Sequence, residues 1–337
     1  MNLMKPFKRI GALLFFLTLF NTNAQEGIPV YFDYLSDNYY LVFPSMAGAN
    51  RQGGKIRLTA RKQWFDIDRA PNLQTLNGHL RVGEKSGVGM ILYRDENGYH
   101  SQGGVKLTYA HHLSFARNSV DLNQLSFGFS AGYIQSSLDE SEFVSLFPDN
   151  AITGTNNSVS YFNVDLGMSY HFLEFYAHLA VKNALGSQRD LYSAEEIDNL
   201  RRYLGGLGYV FDLNGTNWVM EPSVLFQLSE YTKEATADIN MKAYYKLKFG
   251  KLWGGLSYRR SLKAAQYNVE SGLESQRLEM VTPIIGINIK NFMISYNYSY
   301  QTGDIRFDNG GFHQITLGYD FWQGSEPYEC NCPAMNY

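Results

Sequence analysis

The chain has 337 residues, 18% of them charged, and a formal net charge of −3. That balance gives no case for a nucleic-acid partner or a polybasic membrane patch, both of which need a basic excess. Aromatic residues make up 15%, with 25 Tyr and 22 Phe, and 31 Gly stand against 9 Pro. This is the composition of many strands, and girdles of aromatic side chains at two membrane interfaces would account for the surplus of rings.

Residues 10–20 form the only long apolar run. They follow Lys5, Lys8 and Arg9 and end in Asn21, Thr22, Asn23 and Ala24, the pattern of a signal peptide cut after Ala24. The run is too short for a membrane-spanning helix. No Cys stands at the expected cut, so a lipoprotein is not expected. Residues 25–53 do not alternate. They carry Tyr31, Phe32, Tyr34, Tyr39 and Tyr40, then Phe43, Pro44, Ser45, Met46, Ala47 and Gly48. We read them as an extended lead-in ending in a turn, placed inside a barrel as a plug or across its periplasmic mouth.

From Gly54 onward the pattern predicts fourteen strands, at 55–66, 73–82, 86–94, 103–115, 122–135, 159–171, 174–184, 201–212, 217–228, 236–249, 251–262, 278–290, 292–301 and 314–321. The last two show the principle most clearly. Phe292, Ile294, Tyr296, Tyr298 and Tyr300 alternate with Met293, Ser295, Asn297, Ser299 and Gln301. Ile315, Leu317, Tyr319 and Phe321 alternate with Gln314, Thr316, Gly318 and Asp320. Period-two alternation over roughly ten residues is the length of a transmembrane strand. Small polar side chains do not make the interior of a soluble sandwich, but they suit a polar lumen while the other face meets lipid. The connections agree. Short links at 83–85, 116–121, 172–173, 213–216, 250 and 290–291 alternate with mostly longer ones at 136–158, 185–200, 263–277 and 302–311. Outer-membrane barrels show this asymmetry, with short periplasmic turns and long outer loops. Ser193-Ala194-Glu195-Glu196 reads as a capping box and predicts a short helix in one outer loop. The absence of an internal repeat argues against a propeller. On the expected inward faces lie Lys55, Arg57, Arg61, Asn163, Asp165, Glu221, Asp238, Asn240, Lys242 and Arg259. Charges of both signs there point to ion-pair networks that fill the interior, more than to a single-sign selectivity ring. The division is therefore a signal peptide over 1–24, a lead-in or plug over 25–53, a transmembrane antiparallel up-and-down β-barrel over 54–323, and a periplasmic tail over 324–337.

Several tempting sites have plainer readings. Cys330-Asn331-Cys332 would be half a metal site at most, since two ligands are fewer than a zinc centre takes, and Cys-x-Cys closes a strained ring poorly. His111 and His112 are neighbours on a strand and so point to opposite faces, which rules out one shared metal. Asp139, Glu140 and Glu142 read as a solvated acidic loop. No nucleophile, base and orienting group stand out, so the protein is not expected to be an enzyme and no cofactor is expected.

Motifs spread along nearly the whole mature chain resemble the PorP/SprF family of outer-membrane proteins, which serve the type IX secretion system and gliding machinery. Near the N-terminus the family's Asn-Pro-Ala turn is matched by Phe43-Pro44-Ser45-Met46-Ala47-Gly48, with Pro44 and Gly48 kept. Its Arg-x-Gln-Trp is present as Arg61-Lys62-Gln63-Trp64, followed by Ala70-Pro71. Gly87-Val88-Gly89, Leu107-Thr108-Tyr109-Ala110, Leu125-Ser126-Phe127-Gly128 and Asp165-Leu166-Gly167 fit successive strands. Arg202-Tyr203, Gly255-Leu256-Ser257-Tyr258-Arg259 and His313-Gln314 follow in order, the last where the family usually has His-Glu. The resemblance makes Pro44, Gly48, Arg61, Gln63, Trp64, Arg202, Tyr203, Arg259 and His313 candidate partner or lumen positions. Barrel architecture alone also supplies reasons for Arg61, Gln63 and Trp64. It further implies membership of a secretion machine and partners of two kinds: a secreted adhesin or its C-terminal domain, and a periplasmic peptidoglycan-binding protein with other machine components. A passive solute channel of the same fold is the alternative.

Overall fold

Alternation leaves each strand of this chain with one apolar and one polar face, and a closed sheet is the arrangement that puts the first in lipid and the second inside. The computed structural model describes residues 37–322 except 51, 66, 118–120, 142, 144–153, 188–197, 214, 264, 270–271 and 303–310, with backbone alone for 265–269 and 272–276. The expected signal peptide, the first part of the lead-in, the capping-box helix at 193–196, Glu142 and the Cys330/Cys332 tail lie outside the described residues.

Among the described residues fourteen strands close one barrel. They are β1 (Gly54–Lys62), β2 (Asn72–Arg81), β3 (Ser86–Asn97), β4 (His100–Ser114), β5 (Asn123–Asp139), β6 (Asn156–Phe172), β7 (Phe175–Lys182), β8 (Arg202–Tyr209, resumed at Phe211–Asp212), β9 (Trp218–Ser229), β10 (Ala235–Leu247), β11 (Gly250–Lys263), β12 (Glu279–Ile289), β13 (Phe292–Gln301) and β14 (Phe312–Phe321). Each pairs antiparallel with the next, and β14 closes onto β1 from Gly54 opposite Phe321 to Lys62 opposite His313. The ladder between β8 and β9 is interrupted: Met220 pairs with Phe211 and Ser223 with Gly208, but Glu221 and Pro222 pair with nothing on β8. Pro222 has no N–H to give, which explains the gap. A separate hairpin, Ala265–Val269 with Gly272–Gln276, extends the β11–β12 loop; the sequence reading left that stretch as plain loop.

The two faces sort as alternation requires. On β13, Phe292 is 62% and Ile294 54% exposed, while Met293, Ser295, Asn297 and Ser299 are buried. On β14, Ile315, Leu317 and Tyr319 face out, and Gln314 and Thr316 are buried. Two-residue turns at 173–174, 248–249 and 290–291 sit at one end, and the loops 140–155, 183–201 and 302–311 at the other. The end with the short turns is the periplasmic one.

Candidate functional site: the lumen and its inserted segment

Residues 37–50 run inside the barrel, along the periplasmic half of its wall. They were expected to be extended but are coiled, as one helical turn, α1 (Tyr39–Val42), and a 3-10 turn (Pro44–Met46). Pro44 stands at the first position of that 3-10 turn, where its fixed φ suits the geometry and its missing N–H costs nothing. The segment is dry. Leu41, Phe43 and Ala47 are completely buried, and Tyr40, Val42, Met46 and Ala49 nearly so. Each large apolar side chain removed from water contributes about 1.5–3 kcal/mol.

The wall is shaped to receive it. Gly128 on β5 and Gly167 on β6 lie directly against Pro44: a Cβ on Gly167 would stand 2.9 Å from the Pro44 ring, and one on Gly128 would overlap the Pro44–Ser45 peptide. Gly87 on β3 meets the Ala47 carbonyl in the same way. Gly48 has φ of 62°, and a Cβ there would come within 2.7 Å of the Leu80 carbonyl, so this position needs glycine on both counts.

Polar groups then fix the register of the segment. The Gly48 N–H donates to His79 Nδ1 at 3.0 Å, and Arg81 Nη1 donates to the Gly48 carbonyl at 2.8 Å. His112 Nε2 lies 3.0 Å from the Ala47 carbonyl, Ser45 Oγ 2.6 Å from Ser169 Oγ, and Tyr40 donates to Thr108 Oγ1 at 2.9 Å. Lys182 Nζ donates to the Leu41 carbonyl at 3.2 Å. Strands β2, β4, β6 and β7 therefore all hold the segment through hydrogen bonds. His112 faces this interface while its neighbour His111 is on the opposite face of β4, as adjacent strand residues must be.

Around the segment and beyond it the lumen wall carries charge networks of mixed sign. Asp165 on β6 takes Lys106 Nζ at 2.8 Å and Lys182 Nζ at 2.9 Å, and its other oxygen accepts the Asn183 N–H at 2.9 Å. Arg259 on β11 grips Asp238 on β10 with two hydrogen bonds of 2.7 and 2.8 Å. Arg57 reaches Asp320 at 2.6 Å across the β1–β14 seam. Glu221 accepts the hydroxyls of Tyr176 and Tyr244, and Tyr176 in turn lies 2.8 Å from the Tyr39 hydroxyl. The inward positions read from sequence, Lys55, Arg57, Asn163, Asp165, Glu221, Asp238, Asn240 and Lys242, are all buried, and Arg61 is half-buried.

The candidate positions do not converge on one place. Pro44 and Gly48 are in the inserted segment. Arg61, Gln63, Trp64 and His313 gather at the outer end of the β1–β14 seam. There the Arg61 guanidinium lies 3.7 Å from the Phe312 ring centre, and His313 Nδ1 2.7 Å from the Tyr296 hydroxyl. Phe65, 63% exposed, packs edge-on to His313. Gln63 is buried, with its N–H on the Pro71 carbonyl, and Trp64 takes φ of 51° as the chain leaves β1. Arg202 and Tyr203 open β8 at the outer rim, where the Tyr203 hydroxyl and Arg201 both donate to Glu230 at 2.8 Å. Arg259 stands apart, on Asp238. The sequence reading missed Lys106 and Lys182 as partners of Asp165, and His79, His112 and His178 as wall residues of the inserted segment. Gly87, Gly128 and Gly167 were visible as motif residues, but not as its seat. Among the described residues no three His, Cys, Asp or Glu side chains are placed to share a metal ion.

Comparison with solved structures shows the same fold in a barrel of very different sequence. The deltaS2 mutant of the TodX monoaromatic hydrocarbon channel, a protein described elsewhere as the P. putida toluene transporter, aligns over 85% of this chain and 94% of its own, at 12% identity and a TM-score of 0.52. Acinetobacter baumannii Omp33 aligns over 81% of this chain and 100% of its own, at 10% identity and a TM-score of 0.43. No curated protein matches the sequence. The family model for the type IX secretion system membrane protein PorP/SprF matches residues 23–319. With the fourteen-stranded barrel, its lipid-facing belt and that match in hand, the chain belongs to the PorP/SprF family and is an outer-membrane component of the type IX secretion system.

Proposed function

We propose that this barrel is a non-enzymatic component that supports secretion and surface anchoring of secreted proteins, including the adhesins of gliding motility. On this reading residues 37–50 act as a plug, and the outer loops 63–71, 140–155, 183–201 and 302–311 form the partner surface. The observation that carries it is the segment inserted in the barrel, with buried ion pairs beside it. A segment held by hydrogen bonds from several strands and buried ion pairs leave a passive solute channel little to work with, so a scaffold reading fits the lumen better. The partners it would engage are a secreted adhesin, or its C-terminal domain, on the outside and a periplasmic peptidoglycan-binding protein with other machine components on the inside.

The test is affinity purification of tagged protein from outer membranes in mild detergent, with mass spectrometry of what accompanies it. Recovery of an adhesin domain or a peptidoglycan-binding lipoprotein supports the scaffold. A barrel recovered alone under gentle conditions moves the weight to the second reading, a passive solute channel; TodX is named a monoaromatic hydrocarbon channel.

A further inference from the structure

A feature of the outward face has no part in the secretion reading. Between β8, β9, β10 and β11 the lipid-facing wall carries a groove of about 520 Å³, lined almost wholly by apolar atoms. Its walls are Leu207, Val224, Ile239, Met241 and Leu256, all exposed on the outward face, and its floor includes Pro222. The groove lies where Glu221 and Pro222 drop out of the β8–β9 ladder. A run of ladder bonds lost beside a proline lets two strands part and leaves a dent in the wall.

What stands below the groove identifies its occupant. Toward the periplasm β9 begins at Trp218, which pairs with Tyr245 on β10, their rings 4.9 Å apart. Both belong to the aromatic level of the interface. Beyond them the β10–β11 turn carries the exposed Lys248 beside the exposed Phe249, while Lys246, paired with Asp212, and Lys251 take the inward set of positions with Lys242 and Tyr244. Pro222 sits four residues along β9 from Trp218, about 13 Å at the rise of a strand. Basic turn, aromatic pair and apolar groove thus follow one another up a single strip of wall. That order matches a phospholipid: phosphate, glycerol level, acyl chain. The groove continues the belt that already meets lipid, so no protein partner is needed to cover it.

We propose that this strip is a binding site for one phospholipid of the periplasmic leaflet, with an acyl chain in the groove over Pro222 and its phosphate at Lys248 in the β10–β11 turn. The site would fix the barrel's depth and orientation at the face where β8 is interrupted.

Native mass spectrometry of the full chain, purified from outer membranes in mild detergent, reads this directly. The wild-type barrel is expected to retain one phospholipid at substoichiometric to full occupancy. Val224→Trp, which fills the groove from its lipid side, should lower retention at least fivefold. Lys248→Glu should lower it severalfold while leaving the groove intact. Leu107→Trp is the control. It places the same bulk on the outward face of β4, away from the groove, and should retain lipid as wild type does. Heat-modifiable migration on gels verifies that each variant forms a barrel, and Val224→Phe replaces any Val224→Trp protein that does not. Absence of retained phospholipid in wild type would overturn the proposal. So would retention indifferent to both site variants, equal loss in Leu107→Trp, or recovery of a bound polypeptide cross-linked to the groove in place of lipid. None of these outcomes depends on which protein partner the barrel serves.

Discussion

Asp165 shows how much one side chain inside this lumen can hold. It is almost completely buried and carries two lysines, Lys106 from β4 across β5 and Lys182 from the adjacent β7, the second of which also ties down the Leu41 carbonyl. Removing one partner of a buried pair leaves the other charge uncompensated, at about 3–5 kcal/mol. Asp165→Asn should therefore lower the unfolding midpoint in detergent markedly, while Asp165→Asn combined with Lys106→Met should recover part of the loss. Thermal melts of the three barrels check this, and equal midpoints for the single and double variants would mean that the charges are hydrated. Gly128 is the steric counterpart. Gly128→Val puts methyl groups where the Pro44–Ser45 peptide lies, and the wall strand cannot yield as easily as the segment. The expected outcome is a folded barrel whose residues 37–50 become open to protease, read by limited proteolysis beside wild type.

At the level of elements, the strands were legible because alternation is a local signal. The two faces of β13 and β14 can be read directly from Phe292–Gln301 and Phe312–Phe321. Strand ends were less so: β1 stops at Lys62 and not near Asp66 because the chain turns at Gln63–Trp64, with Trp64 in the left-handed region. The hairpin at 265–276 is too short and polar for its period to stand out. The seat of the inserted segment was not legible at all. Gly87, Gly128 and Gly167 lie on three different strands, and only the closed sheet brings them to one segment. The same holds for Lys106 and Lys182, whose meeting at Asp165 depends on register. One outer contact also carries a pH dependence. Burial pushes the Glu230 carboxyl up, but hydrogen bonds from Tyr203 and Arg201 outweigh it and hold the group below the usual carboxylate range. A depressed carboxylate contributes stability above its unfolded pKa and loses it as pH falls through the folded value. The contact between the 183–201 loop and the β9–β10 turn should thus loosen only under strong acid. Because the groups are largely exposed, the contribution is no more than about 1 kcal/mol. Protection of the amides of residues 198–201, corrected for intrinsic exchange, should be unchanged between pH 7 and 5 and lower once the pH falls below the ordinary carboxylate range, and Glu230→Gln should abolish that difference.

For the whole molecule, the question is whether this closed sheet encloses a path. Fourteen strands alone do not decide it, since barrels of that size serve as channels and as scaffolds. The answer lies in what fills the interior. On the β2–β7 arc the filling is a separate stretch of chain, residues 37–50, seated on glycines. On the β10–β14 arc it is the wall's own side chains, among them Arg259–Asp238, the Thr282–Ser299 hydrogen bond and the Thr59–Thr316 contact across the seam. Those two kinds of filling respond differently to deletion. Removing residues 39–48 takes out α1 and the 3-10 turn and takes a carbonyl acceptor from two wall charges, Lys182, which keeps Asp165, and Arg81, which keeps the Gly83 and Glu84 carbonyls. The wild-type barrel in a planar bilayer should show only rare, small conductance events, and the deletion variant should show steady steps well above them. If wild type conducts steadily, the occluded lumen is not how the protein sits in a membrane and the scaffold reading falls. If neither conducts, the side chains of the β10–β14 arc close the barrel by themselves, and residues 37–50 serve to brace the wall and not to plug it.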